Sequence, residues 1–290
     1  MTETTSWLAE AGLSVKSAQL LDISDYQGKF DSAAAKAAIP GLAGIIFRLT
    51  QGLGQPGTGS PDPDAAWNHQ QIAACGLRRG MYHFLDPHQD GAAQARYFVA
   101  VARQLGLTAR DMLWLDNETA GSSPAAVAAC ARAFMAELDS LVPHQPRGVY
   151  TFISFATEGN CAGLGDRALW LAWPQPGAPA PQAPPPWARW TFWQWGYRDG
   201  TDADAFNGTT SELDQWLDSF AAHPQPPGLH VADGHTSLNQ MCAATPGMTV
   251  HGALWETARR RPHGWGALEK EYVQAGNWNA PLRKGAEIWG

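Results

Sequence analysis

Between residues 19 and 220 short apolar runs alternate with stretches in which apolar positions recur every three or four residues. Short apolar runs bounded by polar residues predict buried strands, and the longer period predicts amphipathic helices. The predicted strands are QLLDIS, GIIFRL, GMYHF, MLWLD, GVYTF, LWLAW and TFWQW. In DAAWNHQQIAACG the spacing puts Trp67, Gln71, Ile72 and Cys75 on one helical face, with Gly76 placed to end the helix. GAAQARYFVAVARQLG brings Tyr97, Phe98, Val101 and Leu105 together. SPAAVAACARAFMAEL begins with Ser123 as a cap and Pro124 in the first turn, then presents Val127, Cys130, Phe134 and Leu138.

Strand and helix units repeated over roughly 200 residues predict an α/β fold, a TIM-like (β/α) barrel with parallel strands. An open doubly wound sheet is the competing fold. It is disfavoured because the turn after the first strand reads DYQGKF, with no GxGxxG phosphate loop. The Pro-rich stretch at residues 174–187 reads as a long loop inside the domain, since the strands on either side belong to one sheet. Composition shifts at HPQPPG, where the alternation stops. The expected organisation is an N-terminal extension at 1–18, the barrel at 19–222, a Pro-rich linker at 223–228 and a small α+β module at 229–290.

Composition narrows the function. A chain of 290 residues can bury a full core, and it contains no apolar run of membrane-spanning length. The start, MTETTSWLAEAGLSVKSAQLL, lacks the basic end, long apolar stretch and small-residue cleavage site of a secretory signal, so a cytoplasmic location is expected. Net charge is −7, and the acidity lies in residues 1–228, where 22 Asp and Glu face 14 Lys and Arg; residues 229–290 hold 5 against 6. Such a chain has no cationic field to draw a polyphosphate backbone, which argues against nucleic acid. Cys75, Cys130, Cys161 and Cys242 form no CxxC pair and lie at no zinc-binding spacing, so they read as reduced, mostly core thiols. The 14 Trp residues raise carbohydrate as a first suspicion, because flat indole faces suit sugar rings.

In MLWLDNE, Asp116 and Glu118 stand at i and i+2, so a continuing strand points both carboxyls the same way. Repulsion and burial then raise at least one pKa and leave a proton to donate, as glycosidic cleavage requires. The competing reading makes Asp116 a helix cap and leaves Glu118 solvated. Other polar groups also sit at strand ends: Asp22 and Ser24, then Arg48, Thr50 and Gln51, His83, Thr151, Gln194 and Asp202. A ring of this kind marks the end of a barrel where active sites form. His83 taken alone reads as a hydrogen-bonded core residue rather than a base or a metal ligand. No metal or cofactor is implied.

The segments LLDISDYQGKFD, IIFRLTQG, GLRRGMYHF, MLWLDNE, GVYTF, LWLAW, FWQW and DADAFNG, in this order, resemble glycoside hydrolase family 25, the Chalaropsis-type lysozymes, over about residues 19 to 220. That resemblance implies a β-1,4-N-acetylmuramidase on a barrel with fewer helices than a regular (β/α) barrel. Carried over to this sequence, it implies that Glu118 is the general acid. Asp116 would support the 2-acetamido group in a substrate-assisted retaining route, and Asp22 and Asp202 would position substrate and water. Tyr82, Trp193 and Gln194 are similar to cleft-lining residues; Arg48, His83 and Trp173 complete the expected substrate-binding set. The sequence departs from the family pattern at Gln51, where an acid is common, at the pair Trp173 and Pro174, and at Asp204, where Asn is usual.

Residues 229–290 open with LHVADGHTSLNQMC and close with APLRKGAEIWG, a partial resemblance to the LysM pattern that implies a wall-binding module; a docking appendage is the alternative. With no signal peptide, the resemblance implies a monomeric phage endolysin that acts on bacterial peptidoglycan and reaches it through a holin pore. A bacterial autolysin and a non-catalytic peptidoglycan-binding protein are the alternatives. A thiol or metal-dependent amidase lacks support, since no HExxH and no recognisable nucleophilic Cys occur.

Overall fold

A computed structural model describes residues 17–54, 60–175, 179–198 and 200–220. Eight strands close a barrel in sequence order: β1 Ser17–Ile23, β2 Leu42–Gln51, β3 Arg78–Phe84, β4 Met112–Asp116, β5 Arg147–Phe152, β6 Ala168–Ala172, β7 Phe192–Arg198 and β8 Thr201–Thr209. All seven predicted strands are present. Strands β1 to β7 pair in parallel, whereas β8 runs antiparallel to both β7 and β1. The expectation of a wholly parallel sheet is therefore corrected, and the reason is chain length. Only two residues separate β7 from β8, and parallel strands need a crossover of a dozen or more. Gly200, at φ +88, takes the left-handed conformation that this short turn needs.

Helices α1 Ser32–Ala38, α2 Ala65–Ala74, α3 Gly91–Gln104 and α4 Pro124–Leu141 follow the first four strands. The α5 turn Ile153–Phe155 runs into a π-helical turn at Ala156–Asn160, and α6 Thr210–Asp218 follows β8. As expected, Ser123 caps α4, its side chain accepting from the Ala126 N–H, and Gly76 takes φ +65 just past α2. The α2 face differs from the prediction. It buries Ala65, Asn68, His69 and Ile72, and leaves Trp67 exposed with Lys29 over its ring. Asn68 holds the chain ahead of α1, accepting from the Phe30 N–H and donating to the Gly28 carbonyl. That demand overrides the apolar spacing.

Among the described residues no helix covers the β6–β7 side, because proline lacks the N–H and the backbone freedom that a helix interior needs. Trp187 at the end of the Pro-rich stretch and Trp190 just after it fill the space instead. Trp187 and Trp190 are buried, and their indole N–H groups donate to the carbonyls of Arg167 and Pro181. The loop therefore belongs to the barrel, as expected.

Strand periodicity divides the core into two layers. Outward-facing residues such as Phe47, Met81, Leu115 and Leu171 meet Phe98, Phe134 and Leu138 of the helices. Inward-facing Leu20, Ile46, Met112, Trp114, Trp170, Phe192 and Phe206 fill the barrel. Below them α6 plugs the floor with Leu213 and Leu217, and its Trp216 stacks on Trp114 at 6.2 Å. Arg78 of β3 fastens that helix through Asp214. Gly148 makes room for the Trp114 ring: a Cβ there would lie 2.3 Å from it. Tryptophan thus serves mainly as packing.

The free thiols Cys75 and Cys130 are half-buried and only Cys161 is buried, so the described cysteines are less fully in the core than expected. No helix among the described residues is long and apolar enough to cross a membrane. β1 starts at Ser17, two residues before the expected limit of the barrel. Cys242, the Pro-rich linker and the region 229–290 lie outside the described residues.

Candidate active site

The same alternation that packs the floor builds the site above it. On β1 the inward positions run Ala18, Leu20, Asp22 and Ser24; on β4 they run Met112, Trp114, Asp116 and Glu118. Each strand passes from apolar to acidic as it reaches the mouth. β8 arrives in the opposite direction, so its first inward residues, Asp202 and Asp204, lie beside Asp22 and Leu20. A cavity of about 280 Å³ opens there. Its wall includes Asp22, Arg48, Tyr82, Asp116, Glu118, Tyr150, Trp170, Gln194 and Asp202. All four carboxyls expected from the sequence therefore share one pocket.

Hydrogen bonds fix the back wall. The Gln194 Nε2–H donates to Asp22 Oδ2 at 2.9 Å, and the Tyr150 hydroxyl donates to Gln194 Oε1 at 3.0 Å. The Trp170 Nε1–H donates to Asp204 Oδ1 at 2.7 Å. Arg48 is the cation in the wall, but its guanidinium is bound to Asp62 at 3.1 Å and to Asp25.

Such a surplus of buried carboxyls favours their protonated forms. Burial raises the pKa of Asp22 to about 7, helped by the charge of Asp202 and opposed by the Gln194 hydrogen bond. Asp116 is held well above the ordinary carboxyl range by burial, then by Glu118 and Asp22. Its Oδ1 is buried with no hydrogen-bond partner. Burial raises Glu118, with Asp202 adding to the effect, and burial raises Asp202. Glu118 and Asp202 are the half-buried members, able both to hold a proton and to meet a ligand.

Three expected site residues lie elsewhere. Trp193 is fully buried in the outer layer, its indole N–H donating to the Trp173 carbonyl, and Trp173 packs against that same layer. His83 is enclosed between the barrel and the helices, stacked on Phe134 at 5.0 Å. It accepts from the Thr50 hydroxyl at Nδ1 and donates from Nε2 to Gln94 Oε1, an acceptor set by the other bonds of that amide. Burial lowers its pKa to about 4. Strand parity is the physical reason for these placements: adjacent residues face opposite sides, so Gln194 inward puts Trp193 outward, and Tyr82 inward puts His83 outward. Thr151 also faces away and is bonded to Cys161. Of the ring of strand-end groups beyond the four carboxyls, Ser24, Arg48 and Gln194 reach the pocket. Sequence reading missed Tyr150 and Trp170, which parity on β5 and β6 could have found. It named Asp204 only as a departure from the family pattern, although this residue stands two from Asp202 and so on the same side. Among the described residues, no group of three or more His, Cys, Asp or Glu could hold a metal ion.

Residues 21–203 match the family described as Glycosyl hydrolases family 25. Lysozyme M1 of Streptomyces globisporus is 27% identical over 218 residues, 67% of this chain and 69% of that protein. Among solved structures, a muramidase from Acremonium alcalophilum aligns with TM-score 0.60 and 26% identity, over 69% of this chain and 99% of that one. A muramidase from Trichobolus zukalii aligns with TM-score 0.60 and 25% identity, over 70% and 99%.

Proposed function

Since the chain belongs to glycosyl hydrolases family 25 and is a glycoside hydrolase, we propose that its reaction is that of a lysozyme: hydrolysis of the β-1,4 bond between N-acetylmuramic acid and N-acetylglucosamine in bacterial peptidoglycan. The observation that carries this reading is the inward pair Asp116 and Glu118 at the end of β4, facing Asp22 and Asp202 across one cavity. The names of the similar proteins, a lysozyme and two muramidases, support the choice of substrate.

Glu118 is the general acid. Its raised pKa keeps a proton available, and its partial exposure lets it meet the glycosidic oxygen as the bond to the leaving sugar breaks. Asp116 lies deeper. It holds the 2-acetamido N–H while the acetamido carbonyl attacks the anomeric carbon, and water then opens the resulting ring with Glu118 acting as base. Asp22, fixed by Gln194, and Asp202 position substrate and water. Tyr82 and Arg48, at the wall, contact the sugar. A retaining route of this kind releases the β-anomer first, which proton NMR of the fresh product detects.

A lytic role inside an infected cell, with release to the wall through a holin pore, extends the same reading; a bacterial autolysin shares the chemistry. Secretion assays with and without a holin separate the two.

The chemistry itself is tested by incubating the protein with peptidoglycan, reducing the fragments with borohydride and identifying the reduced sugar by mass spectrometry. Reduced muramic acid is the expected product. Reduced glucosamine, new amines or no fragments would overturn the assignment, the last in favour of a non-catalytic wall-binding protein.

A further inference from the structure

Asp204 takes no direct part in the mechanism above, yet it is completely buried beneath the pocket, between Trp170 and Asp22. Its Oδ1 accepts from the Trp170 indole, while its Oδ2 is buried with no donor nearby. Asp204 stands opposite Leu20 in the β1–β8 register, next to the Asp22–Asp202 pair, so two buried carboxyls are neighbours inside the barrel. Two ionised carboxylates have only acceptors to offer each other, so a hydrogen bond between them requires a proton on one. Asp22 Oδ2 already accepts the Gln194 amide N–H, which favours Asp22 as the charged member.

We propose that Asp204 is a positioning residue for the reaction: it carries a proton on Oδ2 and donates it in a hydrogen bond to Asp22, aiming that carboxyl at the substrate and easing its ionisation. The inference rests on the reading of Asp22 as part of the catalytic pocket. Burial, then the charge of Asp22, keeps the Asp204 carboxyl well above the ordinary range, which agrees with the proton's location. Other acidic groups around the pair press the same way: Asp202 on the strand of Asp204 and Glu118 just past the end of β4. Asp116 at the end of β4 and the phenols of Tyr82 and Tyr150, which stay neutral, also face Asp22. Arg48, the cation among the described wall residues, is engaged by Asp25 and Asp62. Among the described residues no hydrogen-bond partner other than Asp22 is in place for the Asp204 Oδ2.

Side-chain shape supplies the test. Asn at this position keeps an oxygen for the Trp170 N–H and offers an amide N–H to Asp22, whereas Ala offers neither. In Asp204→Ala, Asp22 loses a bond that stabilises its charge, so the acid limb of the kcat profile on peptidoglycan moves to higher pH, by about one unit for a bond of ordinary strength. In Asp204→Asn the acid limb stays where the wild type has it. A shift in both variants, or in neither, overturns the proposal. Carboxyl carbon NMR of the full chain labelled at Asp decides the matter without activity. The expected result is one Asp204 carboxyl still protonated at neutral pH, and an Asp22 titration midpoint raised in the Ala variant but not in the Asn variant. An Asp204 found ionised at neutral pH overturns the proposal. If the wild type releases no fragments from peptidoglycan, the lysozyme reading fails by itself, and the carboxyl titration still decides where the proton sits.

Discussion

Replacing Asp22 by Asn should make the folded protein more stable in neutral and alkaline solution and leave it unchanged in acid. Asp22 titrates at about 7 in the folded chain against 3.8 for an ordinary Asp. Between those values the folded state holds a proton that the unfolded chain has given up. Its contribution to stability is therefore complete below the unfolded value and lost as pH rises through the folded one. At about 1.4 kcal/mol per unit, the shift corresponds to about 4 kcal/mol above neutral pH, falling to about 2 kcal/mol near pH 5.5 and to nothing near pH 3. Asn removes the charge and keeps an oxygen to accept the Gln194 N–H. Urea unfolding of both proteins across this range measures the difference. A gap that opens with rising pH is expected; a gap independent of pH, or an Asn variant less stable at about pH 8, refutes the reasoning.

Gly148→Ala should destabilise by about 1–3 kcal/mol in urea titrations, because the new Cβ would sit 2.3 Å from the Trp114 ring in a filled barrel. Trp187→Ala removes a buried indole that replaces a helix on the β6–β7 side, and should cost about 3–5 kcal/mol with the barrel otherwise folded. Breaking the buried pairs of Arg48 with Met leaves Asp62 buried beside Asp25 without a cation, at a cost of about 3–5 kcal/mol in the same assay. His83, with its pKa lowered to about 4, should remain neutral and protonated at Nε2 in imidazole nitrogen NMR throughout the mildly acidic range, and stability should fall as pH drops from the ordinary His value towards 4.

Much of the site was legible because strands impose a two-residue period. Asp116 and Glu118 in MLWLDNE face one way for that reason alone, and their burial follows from the apolar residues before them. The same rule, applied to neighbouring residues, would have separated Gln194 from Trp193 and Tyr82 from His83. Reading polarity at strand ends without parity joined groups that face opposite layers. The antiparallel β8 was harder to see: TDADAFNGT carries acids at its inward positions, so it does not read as an apolar run. Its place emerges only when the barrel closes and Asp202 and Asp204 meet β1. The α2 face was misread because Asn68, a polar residue, is buried to hold the chain near Phe30. Apolar spacing carries no signal for such a tertiary bond.

The role of Glu118 is tested most directly by comparing wild type and Glu118→Gln on two substrates: a native wall disaccharide chain and the same sugar bearing a nitrophenol leaving group. Nitrophenolate departs without protonation, so only the native bond needs the acid. The expected result is a fall in kcat/KM, which reports the bond-breaking step, of about 10²–10⁴ on the native chain and little change in kcat/KM on the nitrophenyl sugar. Equal losses on both substrates, or no loss on the native chain, would contradict the assignment of Glu118 as the group that protonates the glycosidic oxygen.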